Sequence, residues 1–311
     1  MLGSTAKTAR EIRSLRIQGA EAIASAAVEA MAAEAHASKA KTKAALLKEL
    51  GQAANILKQA RPTEPALRNS LRFILARGRQ SDAAVPELKR FIVILARDYA
   101  KHSLLNKKKI AGHGGPLVPN NGAVLLHCHS SSVMRVLKKA HDDGKKFKVY
   151  CLETRPLYQG RTSAAELSNY GIDAVLCVDS CAETALLKMG RRGIVLVGAD
   201  AVTADGDLVN KIGTAGVAAL AYGYGTRLYS CTGSHKFDPL TLGGKSEPIE
   251  ERAAEEVLTT ADAAKWGFKR MPRVLNPAFD LTPASLVTGF VTEWGVQSPK
   301  AFVKRATAEY R

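Results

Sequence analysis

The chain has no long apolar run. Its longest stretch free of charge and histidine, residues 212–226, is interrupted by Gly213, Gly216, Gly223 and Gly225 and falls short of the roughly 20 residues a membrane span needs. A buried helix with its exit turn is the expected form of that stretch. The N-terminus carries Lys7, Arg10, Glu11, Arg13 and Arg16, then Glu21 and Glu29, so no signal-peptide core is read there. Cysteines are few and odd in number, Cys128, Cys151, Cys177, Cys181 and Cys231, and none forms a Cys-x-x-Cys pair. This argues against a disulfide framework and a structural zinc site, and points to a reducing cytoplasm. Aromatic residues make up 6% of the chain and do not interleave with Lys107-Lys108-Lys109, Lys138-Lys139 or Lys145-Lys146, so nucleic-acid binding has little support. No repeat of fixed period is present.

What is there is a chain of 311 residues, 46% hydrophobic, long enough to bury a sizeable core and to form two domains. Its 45 Lys and Arg against 29 Asp and Glu give a net charge of +16. Such a surplus suits a small polyanionic substrate or nucleic acid, and equally a solvated basic surface with no specific partner.

From about residue 6 to 100 the pattern is helical: Ile12, Leu15, Ile17 and Ala20, then Ile23, Ala26, Ala27, Ala30 and Met31, recur at mostly three- and four-residue steps. Glycine- and proline-rich turns at 113–116 and 119–122 interrupt it, which sets an all-helical N-terminal domain at 1–110 and a second domain at 111–311. In the second, five short apolar runs (123–126, 147–152, 174–178, 194–197 and 227–230) each lead into a polar cluster. Helices are predicted between them at 131–142, 163–170, 182–189 and 212–221, the alternation of a Rossmann-like, doubly wound parallel α/β sheet. Further on, an acidic helix is predicted at 250–256, an ordered turn at 276–280 and a last helix at 283–293. No Gly-x-Gly-x-x-Gly turn follows the first strand, which disfavours a nicotinamide or flavin dinucleotide.

All strand C-termini of such a sheet open on one side, so distant segments converge there. Cys128 stands at the first strand-to-helix junction with Ser130 and Ser131 as candidate caps; backbone N–H groups and the helix dipole should favour its thiolate, a base or nucleophile. A buried, inert cysteine is the plainer alternative. Asp200 follows an apolar strand after two small residues, a place where a carboxylate is costly to desolvate unless it is used. His127 and His129 would share one face of an extended chain and the thiol the other, which argues against a shared metal. Cys–His hydrolysis lacks an identifiable third orienting residue. Arg155, Lys211 and Lys236 follow three different strands, and Arg61 precedes a predicted helix start at Thr63-Glu64-Pro65; together they could hold two phosphates.

The ordered set of His127-Cys128-His129-Ser130-Ser131, Glu153-Thr154-Arg155-Pro156 with Gln159-Gly160-Arg161-Thr162, Gly198-Ala199-Asp200, Asn210-Lys211-Ile212-Gly213-Thr214 and Lys236-Phe237-Asp238-Pro239 resembles one superfamily. It joins the archaeal ribose-1,5-bisphosphate isomerases, the methylthioribose-1-phosphate isomerases and the alpha, beta and delta subunits of translation initiation factor 2B. The likeness covers about residues 12–295 and is closer to the archaeal bisphosphate isomerases in its Cys-x-Ser-Ser form and in length. It implies Cys128 and Asp200 as the catalytic pair, and Gly19, Ala20, Arg61, Ser130, Ser131, Arg155, Gln159, Asn210, Lys211 and Lys236 as substrate-binding residues. It also implies conversion of ribose 1,5-bisphosphate to ribulose 1,5-bisphosphate in archaeal AMP and nucleoside salvage. No metal or organic cofactor is implied. A homo-oligomer, dimer or hexamer, is; AMP stays open as an activator. Gln18 stands where the family's first phosphate turn has arginine, which removes a cation and leaves the N–H groups of Gly19 and Ala20 as donors. Gln18 and the basic surface favour the rival reading, a non-catalytic regulatory subunit that binds initiation factor 2 or a nucleotide. A third option is an isomerase for a related sugar 1-phosphate.

Overall fold

The computed structural model describes residues 3–17 and 19–310. Its contacts divide the chain into a helical unit, residues up to Asn106 with His235–Phe237 and Tyr310, and an α/β unit, residues 107–234 and 238–309.

The helical unit is built from α1 (Gly3–Arg13), α2 (Ala20–Ala37), α3 (Lys43–Ala60), α4 (Pro65–Gln80) and the first part of α5 (Val85–Gly114). The alanine content of α2 has a direct structural use. Ile23, Ala24, Ala27, Val28, Ala30 and Met31 are buried, and small side chains let the neighbouring backbones approach closely at little cost in side-chain entropy. Leu46, Leu50 and Leu57 of α3 and Leu67, Leu71 and Ile74 of α4 complete the same core. Thr42 caps α3 by accepting the Ala45 N–H at 3.2 Å, and Pro65 opens α4 where a missing N–H costs nothing. The Asn69 amide donates to the carbonyls of His235 (2.9 Å) and Phe237 (2.8 Å), which holds that short segment in this unit.

The α/β unit alternates β1 (Gly122–His127), α6 (Ser131–Asp142), β2 (Phe147–Leu152), α7 (Gln159–Asn169), β3 (Asp173–Cys177), α8 (Ala182–Met189) and β4 (Ile194–Val197). There follow β5 (Ala201–Val202), β6 (Leu208–Lys211), α9 (Thr214–Gly223), β7 (Arg227–Cys231), α10 (Thr260–Lys265), β8 (Phe279–Thr282), β9 (Gly289–Thr292), β10 (Gly295–Gln297) and α11 (Pro299–Tyr310). The main sheet has the order β10-β9-β7-β4-β1-β2-β3. Every pairing in it is parallel except β9 with β10. Central β4 is buried along its whole length, as expected of a parallel strand covered on both faces. Val124 and Leu126 of β1 and Ile194 and Leu196 of β4 pack with Val133, Val136 and Leu137 of α6. Strand order reverses between β1 and β4, the position where open α/β sheets leave a crevice beyond the strand ends. A second, antiparallel sheet, β5-β6-β8, carries residues 208–211 beside that crevice.

Two predicted helices are absent. Residues 283–293 form a single turn at Ala284–Leu286 and then strand β9. Phe290, Val291 and Thr292 are β-favouring, and β9 pairs with β7, Tyr229 opposite Gly289. Residues 250–256 are acidic but held by pairing: the Arg252 N–H donates to the Asn276 carbonyl at 2.9 Å, and the guanidinium lies between Glu250 and Glu256. Only Ala254–Glu256 makes a helical turn there. Residues 212–226 do form a helix, α9, with its exit turn at Tyr224 and Gly225. Among the described residues, no helix is long and apolar enough to cross a membrane.

Candidate active site

β1 ends at His127, and the next residue turns sharply: Cys128 has φ 67°. Ser130 then caps α6, its hydroxyl 3.5 Å from the Val133 N–H, and Ser131 is the first helical residue, exposed. The Cys128 N–H donates to the Thr154 hydroxyl oxygen at 2.9 Å. Thr154, fully buried, donates its own proton to the Leu152 carbonyl at 3.1 Å. Asp179, two residues past β3, accepts the N–H groups of Thr154 and Arg155, each at 2.7 Å, one on each carboxylate oxygen. Gly160 lets α7 start directly against β2, since a Cβ there would overlap the Leu152 carbonyl.

Cys128 keeps some surface open, but its sulfur is enclosed, and burial pushes the thiol up to about 11. The Lys211 ammonium opposes that rise and the Asp200 carboxylate adds to it, so the three groups share one electrostatic neighbourhood. This corrects the expectation of a thiolate favoured by the helix terminus: loss of hydration outweighs the nearby cation and donors. At neutral pH the sulfur carries its proton. Asp200 is held at the entry to the small sheet by its N–H, which donates to the Val209 carbonyl at 2.9 Å. Lys211 stands with its ammonium 4.8 Å from the Phe279 ring centre, a favourable placement for a half-buried cation.

Gly198 keeps the end of β4 thin: a Cβ on it would lie 2.9 Å from the Ser130 side chain and 3.8 Å from the Asn210 amide oxygen. Asn210 is buried and donates to the Thr214 hydroxyl at 3.0 Å. The Gln159 amide oxygen is buried without a hydrogen-bond partner. Such an acceptor is costly unless a ligand donates to it. Arg155 is exposed, donating to the Tyr158 hydroxyl (2.9 Å) and the Val257 carbonyl (3.1 Å).

The two histidines do not share a face, because the left-handed residue between them breaks the extended chain. His127 is buried with Nε2 2.7 Å from the Ile212 carbonyl. A carbonyl only accepts, so Nε2 bears the hydrogen, and burial lowers the ring's pKa. His129 turns instead to the Ser163 hydroxyl at 3.1 Å, with Glu166 3.9 Å away. Among the described residues, no group of three or more His, Cys, Asp and Glu is placed to hold a metal.

Cys128, Asp200, Lys211, Ser130 and Asn210 thus gather around the β1 and β4 ends, with Arg155 on the turn after β2 and Gln159 at the start of α7. Gly19, Ala20, Arg61 and Lys236 belong to the helical unit. Gly19 precedes α2, Ala20 is its first residue, and Arg61 ends α3. Gln18 lies outside the described residues. Sequence reasoning passed over Thr154 and Asp179; both sit in the polar clusters after predicted strands, and that position was the available signal.

The family described as initiation factor 2 subunit family matches residues 16–299. The chain belongs to that family. It is 36% identical over 305 residues to the ribose 1,5-bisphosphate isomerase of Pyrococcus furiosus, covering 97% of this chain and 93% of that one. Among solved structures, the 5-methylthioribose 1-phosphate isomerase of Pyrococcus horikoshii aligns with a TM-score of 0.78 at 33% identity, over 98% of this chain and 88% of the other. The translation initiation factor eIF-2B of Pyrococcus horikoshii aligns with a TM-score of 0.80 at 25% identity, over 96% and 98%. With archaeal bisphosphate isomerases this similar along nearly the whole length, this member of the initiation factor 2 subunit family is an enzyme, an isomerase of the aldose–ketose type.

Proposed function

We propose that this isomerase acts on ribose 1,5-bisphosphate and forms ribulose 1,5-bisphosphate. The observation that carries the reading is the meeting of an enclosed thiol with a carboxylate and an ammonium group at the switch point of the sheet. The reaction opens a furanose ring and moves one proton from C2 to C1, so it needs one group at carbon and one at oxygen. Asp200 gives a proton to the ring oxygen as the C1–O bond breaks. Cys128 enters the cycle as the thiolate, its own proton released to solvent beforehand, takes the proton from C2 and returns it to C1. Asp200 then receives the C2 hydroxyl proton as the carbonyl forms, and both groups end as they began. No atoms or electrons are gained or lost overall. Lys211 offsets negative charge on the enediol oxygens, the partnerless Gln159 oxygen accepts a sugar hydroxyl, and Ser130, Ser131, Asn210 and Arg155 line the sugar and one phosphate. Gly19, Ala20, Arg61 and Lys236 are assigned to phosphate.

Purified protein given the bisphosphate should accumulate ribulose 1,5-bisphosphate. Cys128→Ser and Asp200→Asn should each lower kcat by about 10²–10⁴-fold with unchanged circular dichroism. Arg61→Ala should act mainly on KM. Wild-type protein that turns over a sugar 1-phosphate and leaves the bisphosphate untouched would redirect the substrate. Absence of any turnover, with capture of initiation factor 2, would replace the enzyme reading with the regulatory one. We also assign the chain to a reducing cytoplasm, which suits its five free thiols, and to a homo-oligomer. Support for self-association comes from Leu176, Val178, Leu187 and Tyr222, apolar side chains at least half exposed on and around β3, α8 and α9; a monomeric mass in sedimentation would remove it.

A further inference from the structure

We infer that Asp179 and Thr154 are positioning residues for Cys128, acting as a relay of hydrogen bonds that fixes the backbone from which the thiol projects. The inference rests on the reading of Cys128 as the proton-transfer group and concerns what holds it in place. Three strand ends are linked in series. Asp179, beyond β3, takes two consecutive N–H groups of the turn beyond β2, at 2.7 Å each. Within that turn, the Thr154 hydroxyl takes the N–H of Cys128, beyond β1, at 2.9 Å. The direction of each bond is fixed. The single Thr154 hydroxyl proton goes to the Leu152 carbonyl, so its oxygen is left to accept from Cys128.

The relay also accounts for two uncommon backbone conformations. Cys128 and Thr154 have φ 67° and 63°, left-handed values that disfavour side-chain-bearing residues and persist only where the surroundings over-determine them. Each is held by a bond of the relay: Cys128 through its N–H to Thr154, Thr154 through its N–H to Asp179. The bonds run between turns at the strand ends. What they determine is where the sulfur stands relative to Asp200 and Lys211. A displacement of about 1 Å in such a group can cost roughly 10²-fold in rate.

Two disruptive variants and one conservative variant test the relay. Thr154→Val keeps the branched shape and removes the acceptor; Asp179→Asn removes one of the two carboxylate acceptors; Thr154→Ser retains the hydroxyl. In Thr154→Val and Asp179→Asn, kcat for the bisphosphate should fall about 10²-fold with KM within about two-fold, and Thr154→Ser should restore most of the loss. Independently of turnover, Cys128 should react with iodoacetamide at pH 8 about ten-fold faster once its backbone is released and the sulfur leaves its enclosure, in line with a thiol returning towards its ordinary pKa. Cys151 and Cys231, both buried, report global unfolding in the same mass spectra and should stay unlabelled. A Cys128 labelling rate unchanged in both variants overturns the inference. So does joint labelling of all three cysteines, which would assign Thr154 and Asp179 to folding as a whole. If Asp179→Asn does not fold, Thr154→Val decides alone. Wild-type protein inactive on the bisphosphate, with Cys128 labelling still released in Thr154→Val, would sink the substrate reading and leave the relay standing.

Discussion

Gly160 has almost no freedom to change. Its α-carbon lies so close to the end of β2 that any side chain would enter the Leu152 carbonyl, which is backbone and cannot rotate aside. Gly160→Ala should therefore push the start of α7 outwards and carry Gln159 with it. We expect a loss of about 3 kcal/mol, the upper part of the range for overpacking, read as a lower denaturant midpoint, together with a raised KM; an unchanged midpoint would show that α7 can shift freely. The placement of Cys128 and Asp200 at strand ends was legible at this scale because each follows a short apolar run and precedes a helix or a new strand, a pattern visible in residue types alone. The charge of Cys128 was not legible. It depends on how much protein surrounds the sulfur, and the sequence records its neighbours along the chain but not those in space.

Helices with a strong periodic stripe and a clear start were the easiest elements to read. α6 and α8 begin and end where the apolar spacing placed them, α6 behind the Ser130 cap. The short strands were harder: β5 has two residues, too few to show any alternation, and β9 is preceded by Leu286 and Val287, which with Phe290 and Val291 also fit a three- and four-residue helical step. Other joints depend on a single distant side chain. Lys145, beyond α6, donates to the carbonyls of Gly115 (3.0 Å), Pro116 (2.9 Å) and Val118 (2.7 Å), closing the turn that leads into β1. Lys145→Met keeps the length of the stem and removes all three donors. Hydrogen bonds from a charged group contribute about 1.5–3 kcal/mol, and part of that is replaced by water here, so urea denaturation should show a loss of about 1–2 kcal/mol.

For the molecule as a whole, the parallel sheet was legible because strand and helix alternate with short connections, and right-handed crossovers leave few other topologies. The small antiparallel sheet that carries Asn210 and Lys211 was not, since β8 lies far along the chain from β6. Stability of the whole should be bounded on both sides of neutral pH. His127 is buried with a lowered pKa, so it stabilises the folded state above the ordinary imidazole value of about 6.5 and that contribution is lost as pH falls through the depressed folded value. The thiols act in the opposite sense. Burial raises Cys128 to about 11 and Cys151 and Cys231 to about 12; their contribution is whole below the ordinary thiol value of about 8.5 and is lost as pH rises towards 11 and 12. Thermal melts should show the highest Tm between about pH 6.5 and 8.5, and a Tm that stays level up to pH 11 would contradict the enclosure of the sulfurs.

The link from Asp179 through Thr154 to Cys128 bears on how kindred genes are interpreted. A cysteine after the first strand is an incomplete credential if its neighbours one and two strands over have drifted. On that inference, a gene that keeps the sulfur but has lost the hydroxyl at the threonine position would encode a markedly slower enzyme, and surveys that sort fast enzymes from their slow cousins should score the trio together.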